Sequence, residues 1–310
     1  MTPKDSRSAS ALAKTLSEFS KNTIALSGLS TPARLASLSR QILSSIRRIE
    51  YVRHLNSLKL SAHRSDPASP IFDPLKAAVL EGRAGRHDEA IWLVFLGTHF
   101  GKHSQDGWRL TRDIYGAFNT RAPWSWAEIS REPDLFRKWA RNSLGALLSD
   151  GVSRRFSNHR KYESRKPGAI ADVLLSYVEL VNSYGDHRGW VYAAHRSVGQ
   201  NASETFDYLY RDMKSVKRFG RLGTFDFLTM VGKLELMPIY PGIAYLDGAT
   251  GPLRGARLLF DNDPTSTTSP ATLENLLRSL DETLNVGKQV LEDSLCNWQK
   301  SPDSYVYFRG

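Results

Sequence analysis

Residues 216–260 read VKRFGRLGTFDFLTMVGKLELMPIYPGIAYLDGATGPLRGARLLF. The stretch opens at the end of one helical pattern and turns through Gly220 and Gly223, with Lys217, Arg218 and Arg221 among them. It enters a second helical pattern at Thr224. A glycine turn between helices lets backbone N–H groups point outward together, and the next helix adds the positive end of its dipole, so this corner suits a phosphate. The other reading is an ordinary corner whose glycines only cap the first helix. Further on, Leu246-Asp247-Gly248 puts a carboxylate just ahead of residues 251–259, a helical run carrying Arg254 and Arg257. Asp247 suits either acid–base and electrostatic chemistry or the capping of that helix.

Outward from this stretch the periodicity stays helical. Residues 75–80, 88–100, 108–118, 135–148, 169–184 and 204–216 read as helices, with Ser203 as an N-cap and Ala90, Ile91, Val94, Phe95 and Thr98 on one face. Ser269 as N-cap and Pro270 at the first position open a long helix through Leu273, Leu277, Leu280 and Leu284 that bends at Gly287. Only 235–246 and 304–308 have short β-like runs. The expected fold is nearly all α, with two helical lobes around a cleft. Residues 1–66 form a helical N-terminal extension, in which Leu35, Leu38, Ile42, Ile46 and Ile49 make a stripe, and residues 67–310 form the main domain. Pro67, Pro70 and Pro74 mark 63–74 as a linker.

The 310 residues carry 42 Lys and Arg against 32 Asp and Glu, a net charge of +10 that favours a polyanionic partner. Arg137, Lys138, Arg141, Arg154, Arg155, Arg160, Lys161, Arg165 and Lys166 follow one another with only Asp150 and Glu163 between them. That run is either a phosphate-binding strip or a solvated charged surface. The single cysteine, Cys296, excludes an intrachain disulfide, a thiolate zinc site and an iron–sulfur cluster. There is no GxGxxG, no GxxxxGK[ST] and no HExxH, and no apolar run suited to a bilayer. A cytoplasmic monomer without metal or cofactor is expected. In 98–103, THFGKH, the rings and cation of His99, Phe100, Lys102 and His103 suit a base pocket or wedge, although Phe100 also fits a core. His99 and His103 have metal-pair spacing, but Gly101 interrupts them and no third ligand is near.

Residues 216–260 resemble the helix-hairpin-helix DNA glycosylases, whose motif LPGVGxxTA is followed, after a helix and a loop, by a catalytic Asp, commonly in LDG. Here 216–224 stands for the hairpin, with Lys217 and Arg218 replacing the usual Pro and first Gly, and Asp247 stands for the acid. The resemblance implies an enzyme that flips a base out of duplex DNA and breaks its N-glycosidic bond. In that scheme Asp247 stabilises the oxocarbenium ion and orients or deprotonates water. It places Lys217, Arg218, Gly220, Arg221 and Gly223 on the DNA backbone beside Arg154, Arg155, Arg160 and Lys161, with His99, Phe100, Lys102, His103 and Tyr245 about the base. Family members with lyase activity carry a Lys where this chain has Leu222, so a monofunctional enzyme leaving an abasic site is implied.

More narrowly, residues 85–118 and 241–260 look like the alpha-glutamyl/putrescinyl thymine pyrophosphorylase group, clade three. That is a glycosylase-like branch associated with hypermodified pyrimidines of phage DNA. Its name implies an amine displacing pyrophosphate from a phosphorylated hydroxymethyl-pyrimidine. The chain is also similar to a phage-defence glycosylase that removes alpha-glucosylated hydroxymethylcytosine. The implied partner is double-stranded phage DNA with modified bases. Hydrolysis, amine transfer and a non-catalytic DNA-binding module all stay open, with Asp247 favouring hydrolysis.

Overall fold

The computed structural model describes residues 3–307, and the fold is all α. In chain order the helices are α1 (Pro3–Asn22), α2 (Pro32–His54), α3 (Pro74–Arg83), α4 (His87–Phe100), α5 (Arg109–Tyr115), α6 (Trp126–Arg131), α7 (Pro133–Trp139) and α8 (Gly145–Leu148). They continue with α9 (Pro167–Asn182), α10 (His187–Val198), α11 (Ala202–Asp212), α12 (Arg221–Lys233), α13 (Gly251–Asp261), α14 (Pro270–Leu284) and α15 (Lys288–Trp298). No strand forms among the described residues, and their only pairing is an isolated bridge between His103 and Gly107. The β-like run at 235–246 is a loop, broken by Pro238, Pro241 and Gly242; of 304–308, Phe308 lies outside the described residues.

Two compact units result, with boundaries after Val52 and after Tyr240. The first takes α1 and α2 together with α13, α14 and α15. Residues 1–66 therefore do not form a separate extension, and residue 66 is not a boundary. Leu38 and Ile42 of the α2 stripe are buried, with Leu35, Ile46 and Ile49 partly so, in a cluster with Leu16, Phe19, Leu259, Leu273, Leu277 and Trp298. Burying such a stripe is what stabilises an amphipathic helix of this length. α13 lies close against α15 because Gly251 and Gly255, one turn apart, face it. A Cβ at 251 would stand 2.6 Å from Cys296 Sγ, and one at 255 would overlap the Leu295 carbonyl oxygen. Ser269 caps α14, accepting from the Thr272 N–H at 3.1 Å, and Pro270 is its first residue. The expected bend at Gly287 is a full break: Asn285 is left-handed, Gly287 has φ 89°, and α15 begins anew.

The second unit is built around α4. Residues 90–97 are all buried, so the helix is enclosed on every side rather than on the single face expected. Phe95 stacks on Tyr177 with ring centroids 3.8 Å apart and meets Phe227 edge-on at 5.6 Å. The 63–74 segment is no free linker: Asp73 caps α3, Phe72 stacks on Tyr115, and Pro67 lies against Gly116. Asn201 rather than Ser203 caps α11, accepting from the N–H groups of Ser203 and Glu204. α5 ends early because Ala117, Phe118 and Asn119 take positive φ.

Candidate active site

In the second unit, residues 216–220 join α11 to α12. Val216 and Phe219 are buried while Lys217, Arg218 and Gly220 are exposed, so the corner is pinned by two apolar residues and displays its cations. The Lys217 N–H donates to Ser176 Oγ at 2.9 Å. Glycine at 220 does not serve the purpose its place in the motif suggests. Its φ is −74° and nothing stands where a Cβ would, whereas Arg218 takes the left-handed conformation at φ 57°. Gly220 is the N-cap of α12 and offers no side-chain cap, as an anion-accepting helix end requires. Gly223 is needed for space: a Cβ there would sit 3.2 Å from Arg160 Nη1 and from the Phe219 ring.

Arg160 belongs to the floor of this corner, not to a surface strip. Buried, it donates from Nε to the Thr98 carbonyl at 3.2 Å and from Nη2 to half-exposed Asp226 at 3.1 Å, with its guanidinium over the Phe219 ring. Arg154 is also internal. It donates to Asp113 at 2.6 Å and to both oxygens of Asp150 at 2.6 and 2.9 Å, over the ring of Phe118. Arg155 pairs with Asp106 at 2.8 Å and holds that carboxyl well below the usual carboxylate range. The expected strip thus reduces to exposed Lys138, Arg141, Lys161, Arg165 and Lys166. Lys161 lies 5.1 Å over the ring of Tyr162, which is 89% exposed.

His99 and Phe100 do not form an outward wedge. Phe100 is fully buried, and the His99 ring is stacked on Phe95 and in contact with Phe100, Phe156 and Phe219. Lys102 is exposed on the following loop, where His103 Nδ1 accepts from the backbone N–H groups of Gln105 and Asp106. The two histidines therefore share no site, and no group of three or more potential ligands gathers among the described residues. Burial foremost, then the Arg160 charge, lowers His99 to about 3, and its Nε2 is buried without a partner. The unfolded chain would bind a proton near pH 6.5 that the folded one refuses, so stability falls as pH drops from there toward 3. His99→Phe should therefore flatten the fall of the melting midpoint between pH 6.5 and 4, measured by thermal unfolding across that range; an equally steep fall in the variant would show that His99 does not carry it.

The second unit also holds a cavity of about 600 Å³ at the N-terminal ends of α4 and α10, lined by His87, Asp88, His187, Tyr192 and His195 among others. Its most buried imidazole, His187, is engaged at both nitrogens, by Asp88 at 2.6 Å and by the Tyr177 hydroxyl at 2.7 Å, and so offers no free base.

In the first unit, Asp247 stands exposed in a turn closed by the Ala249 N–H on the Leu246 carbonyl at 3.0 Å. Gly248 takes φ +70° there, a conformation open to glycine. Thr250, not Asp247, is the N-cap of α13, and among the described residues the Asp247 carboxylate has no partner. The capping role is therefore not realised. Tyr245 is buried with φ 52°. Missed in the sequence is Glu274 of α14, a buried acid whose two oxygens accept from the N–H groups of Ala244 and Leu246, each at 2.8 Å. Its one legible signal was an acid placed directly beside the Leu273–Leu277 stripe.

A profile of the alpha-glutamyl/putrescinyl thymine pyrophosphorylase clade 3 family matches residues 33–310. The chain belongs to this family. The family's name is that of an enzyme acting on a modified thymine. No curated protein and no solved structure matches the chain significantly. The clade 3 match begins at the start of α2 and runs through both units, so the α11–α12 corner, Asp247 and Glu274 all lie within it. No helix among the described residues of this clade 3 chain is long and apolar enough to cross a membrane.

Proposed function

We propose that this protein is a monofunctional DNA glycosylase that flips a bulky modified pyrimidine out of duplex DNA and releases it, leaving an abasic site. The observation that carries the reading is the Asp247 carboxylate: exposed, without a partner among the described residues, and set by a closed turn just ahead of α13. As the bond between C1′ and the base nitrogen breaks, its electron pair leaves with the base and the sugar becomes an oxocarbenium ion. The anion of Asp247 stabilises that charge. Water adds to C1′ and gives a proton to Asp247, while the departing base takes up one proton from solvent. Leu222, exposed on the first turn of α12, offers no amine for a Schiff base, so the strand stays intact. With phage DNA carrying glucosylated hydroxymethylcytosine as substrate, such an enzyme would act in antiviral defence.

The family's name favours a second reading, in which an amine nitrogen attacks the exocyclic methylene of a diphosphorylated hydroxymethyl-pyrimidine and pyrophosphate leaves. Incubation with glucosylated, hydroxymethylated, diphosphorylated and plain duplexes, with and without a diamine, separates the two. Free base and alkali-labile sites support the glycosylase, pyrophosphate release with amine incorporation supports the transferase, and binding without either product leaves only a DNA-binding module.

DNA contact is expected to run through the exposed cations. Changing Lys161, Lys217 and Arg218 together to Ala should weaken binding to all sequences alike and lower the log–log salt slope by about 0.9 per lost phosphate contact. An unchanged slope in a filter-binding titration would remove this face from the interface.

A further inference from the structure

α14 turns Leu273, Leu277 and Leu280 into the core of the first unit, and Glu274 is buried beside them. A buried carboxylate is costly unless its oxygens are satisfied. Here Oε2 accepts from the Ala244 N–H and Oε1 from the Leu246 N–H, each at 2.8 Å. Tyr245 between them has φ 52°, and a left-handed residue flanked by right-handed or extended ones turns the neighbouring N–H groups toward one anion. The next residue after this two-amide cradle is Asp247. The Leu246 carbonyl then closes the Asp247–Gly248 turn through the Ala249 N–H. The loop is thus tied immediately before and after the candidate catalytic carboxylate.

We propose that Glu274 is the positioning residue of the active site: by gripping the amides of Ala244 and Leu246 it holds Asp247 outward, in place before DNA arrives. This rests on the glycosylase reading of Asp247. The grip needs a carboxylate, because a glutamine offers one acceptor oxygen and turns an NH2 donor toward the other amide, leaving that N–H without a partner. Displacement of a catalytic group by about 1 Å can cost on the order of 10²-fold in rate with little effect on binding. A residue that merely supported the fold would lower affinity and rate together.

The test compares the full-length wild type with E274Q and E274D on duplex carrying glucosylated hydroxymethylcytosine. It measures single-turnover base release, DNA dissociation constant, melting midpoint, and amide exchange at 244 and 246. E274Q is expected to bind DNA within about twofold of wild type, to release base about 10²-fold more slowly, and to lose exchange protection at the one amide that its NH2 group faces. E274D keeps both oxygens one methylene further back and should fall between E274Q and wild type. Wild-type release by E274Q, unchanged protection at the two amides, or a rate loss matched by equal losses of affinity and melting midpoint would each overturn the proposal. Should E274Q not fold, E274D decides: slower release at unchanged affinity supports it, and an unchanged rate overturns it. If the wild type itself releases no base, the glycosylase reading fails and this inference with it, whereas the E274Q outcomes strike at Glu274 alone.

Discussion

Asp247→Asn is expected to slow base release about 10³-fold while DNA affinity stays at the wild-type level. Asparagine keeps the size of the side chain and removes the charge that the proposed mechanism sets against the oxocarbenium ion. Because Asp247 has no partner among the described residues and does not cap α13, its loss should leave the melting midpoint unchanged, so a fall in rate cannot be assigned to unfolding. Borohydride should trap no enzyme–DNA adduct with the wild type, and the abasic strand should break only on added alkali. Release by the variant at the wild-type rate would remove Asp247 from the mechanism; a trapped adduct would show that some amine acts in place of the residue at 222.

The largest effect on stability is expected from Arg154→Ala. The side chain is 6% exposed and its guanidinium answers both Asp113, itself 10% exposed, and Asp150. Removing it leaves Asp113 Oδ2 without its partner, although Arg112 still holds Oδ1 at 2.9 Å, and breaking such a buried pair costs up to about 3 kcal/mol. Thermal unfolding should show a midpoint several degrees lower, with DNA affinity of the folded protein unchanged. The pairing also holds Asp150 in its charged form: Arg154 lowers it to about 2, so that contribution is lost only as pH falls toward 2. If instead the midpoint holds and DNA binding weakens, Arg154 is a phosphate ligand after all.

Arg154 also shows why the charge pattern misled. A run of cations reads as a surface when only near neighbours are visible, and the opposing Asp113 and, for Arg160, Asp226 lie 41 and 66 residues away. Local chemistry was readable: Ser269 and Pro270 start α14 because a hydroxyl cap and a fixed φ act within one turn. The choice of Asn201 over Ser203 was not, since both are good caps two residues apart and only the backbone path decides which oxygen meets the free N–H groups. The helical class followed from long periodic segments. Their partners did not, because the stripe of α2 states that one face is buried without saying that α13 to α15 bury it. The corner between α11 and α12 was legible, but its left-handed residue is Arg218, where the glycines pointed to 220. Asp247 stood out through its own motif, whereas Glu274 acts through backbone amides 28 and 30 residues away and leaves only a misplaced charge as its trace.

The first unit is assembled from two stretches with residues 53–240 between them, and this sets an order on synthesis. A chain emerging N-terminus first can complete the second unit, its α11–α12 corner included, while the apolar faces of α1 and α2 still await helices not yet made. Closing so long a loop costs little in final stability, because its entropy grows only logarithmically, but it delays the unit that carries Asp247 and Glu274. A chain cut short by translation arrest or proteolysis before residue 247 would keep the α11–α12 corner, lack the carboxylate, and expose the α2 stripe. Such a fragment should be marked for quality control by its uncovered apolar surface before it could meet DNA as an active enzyme.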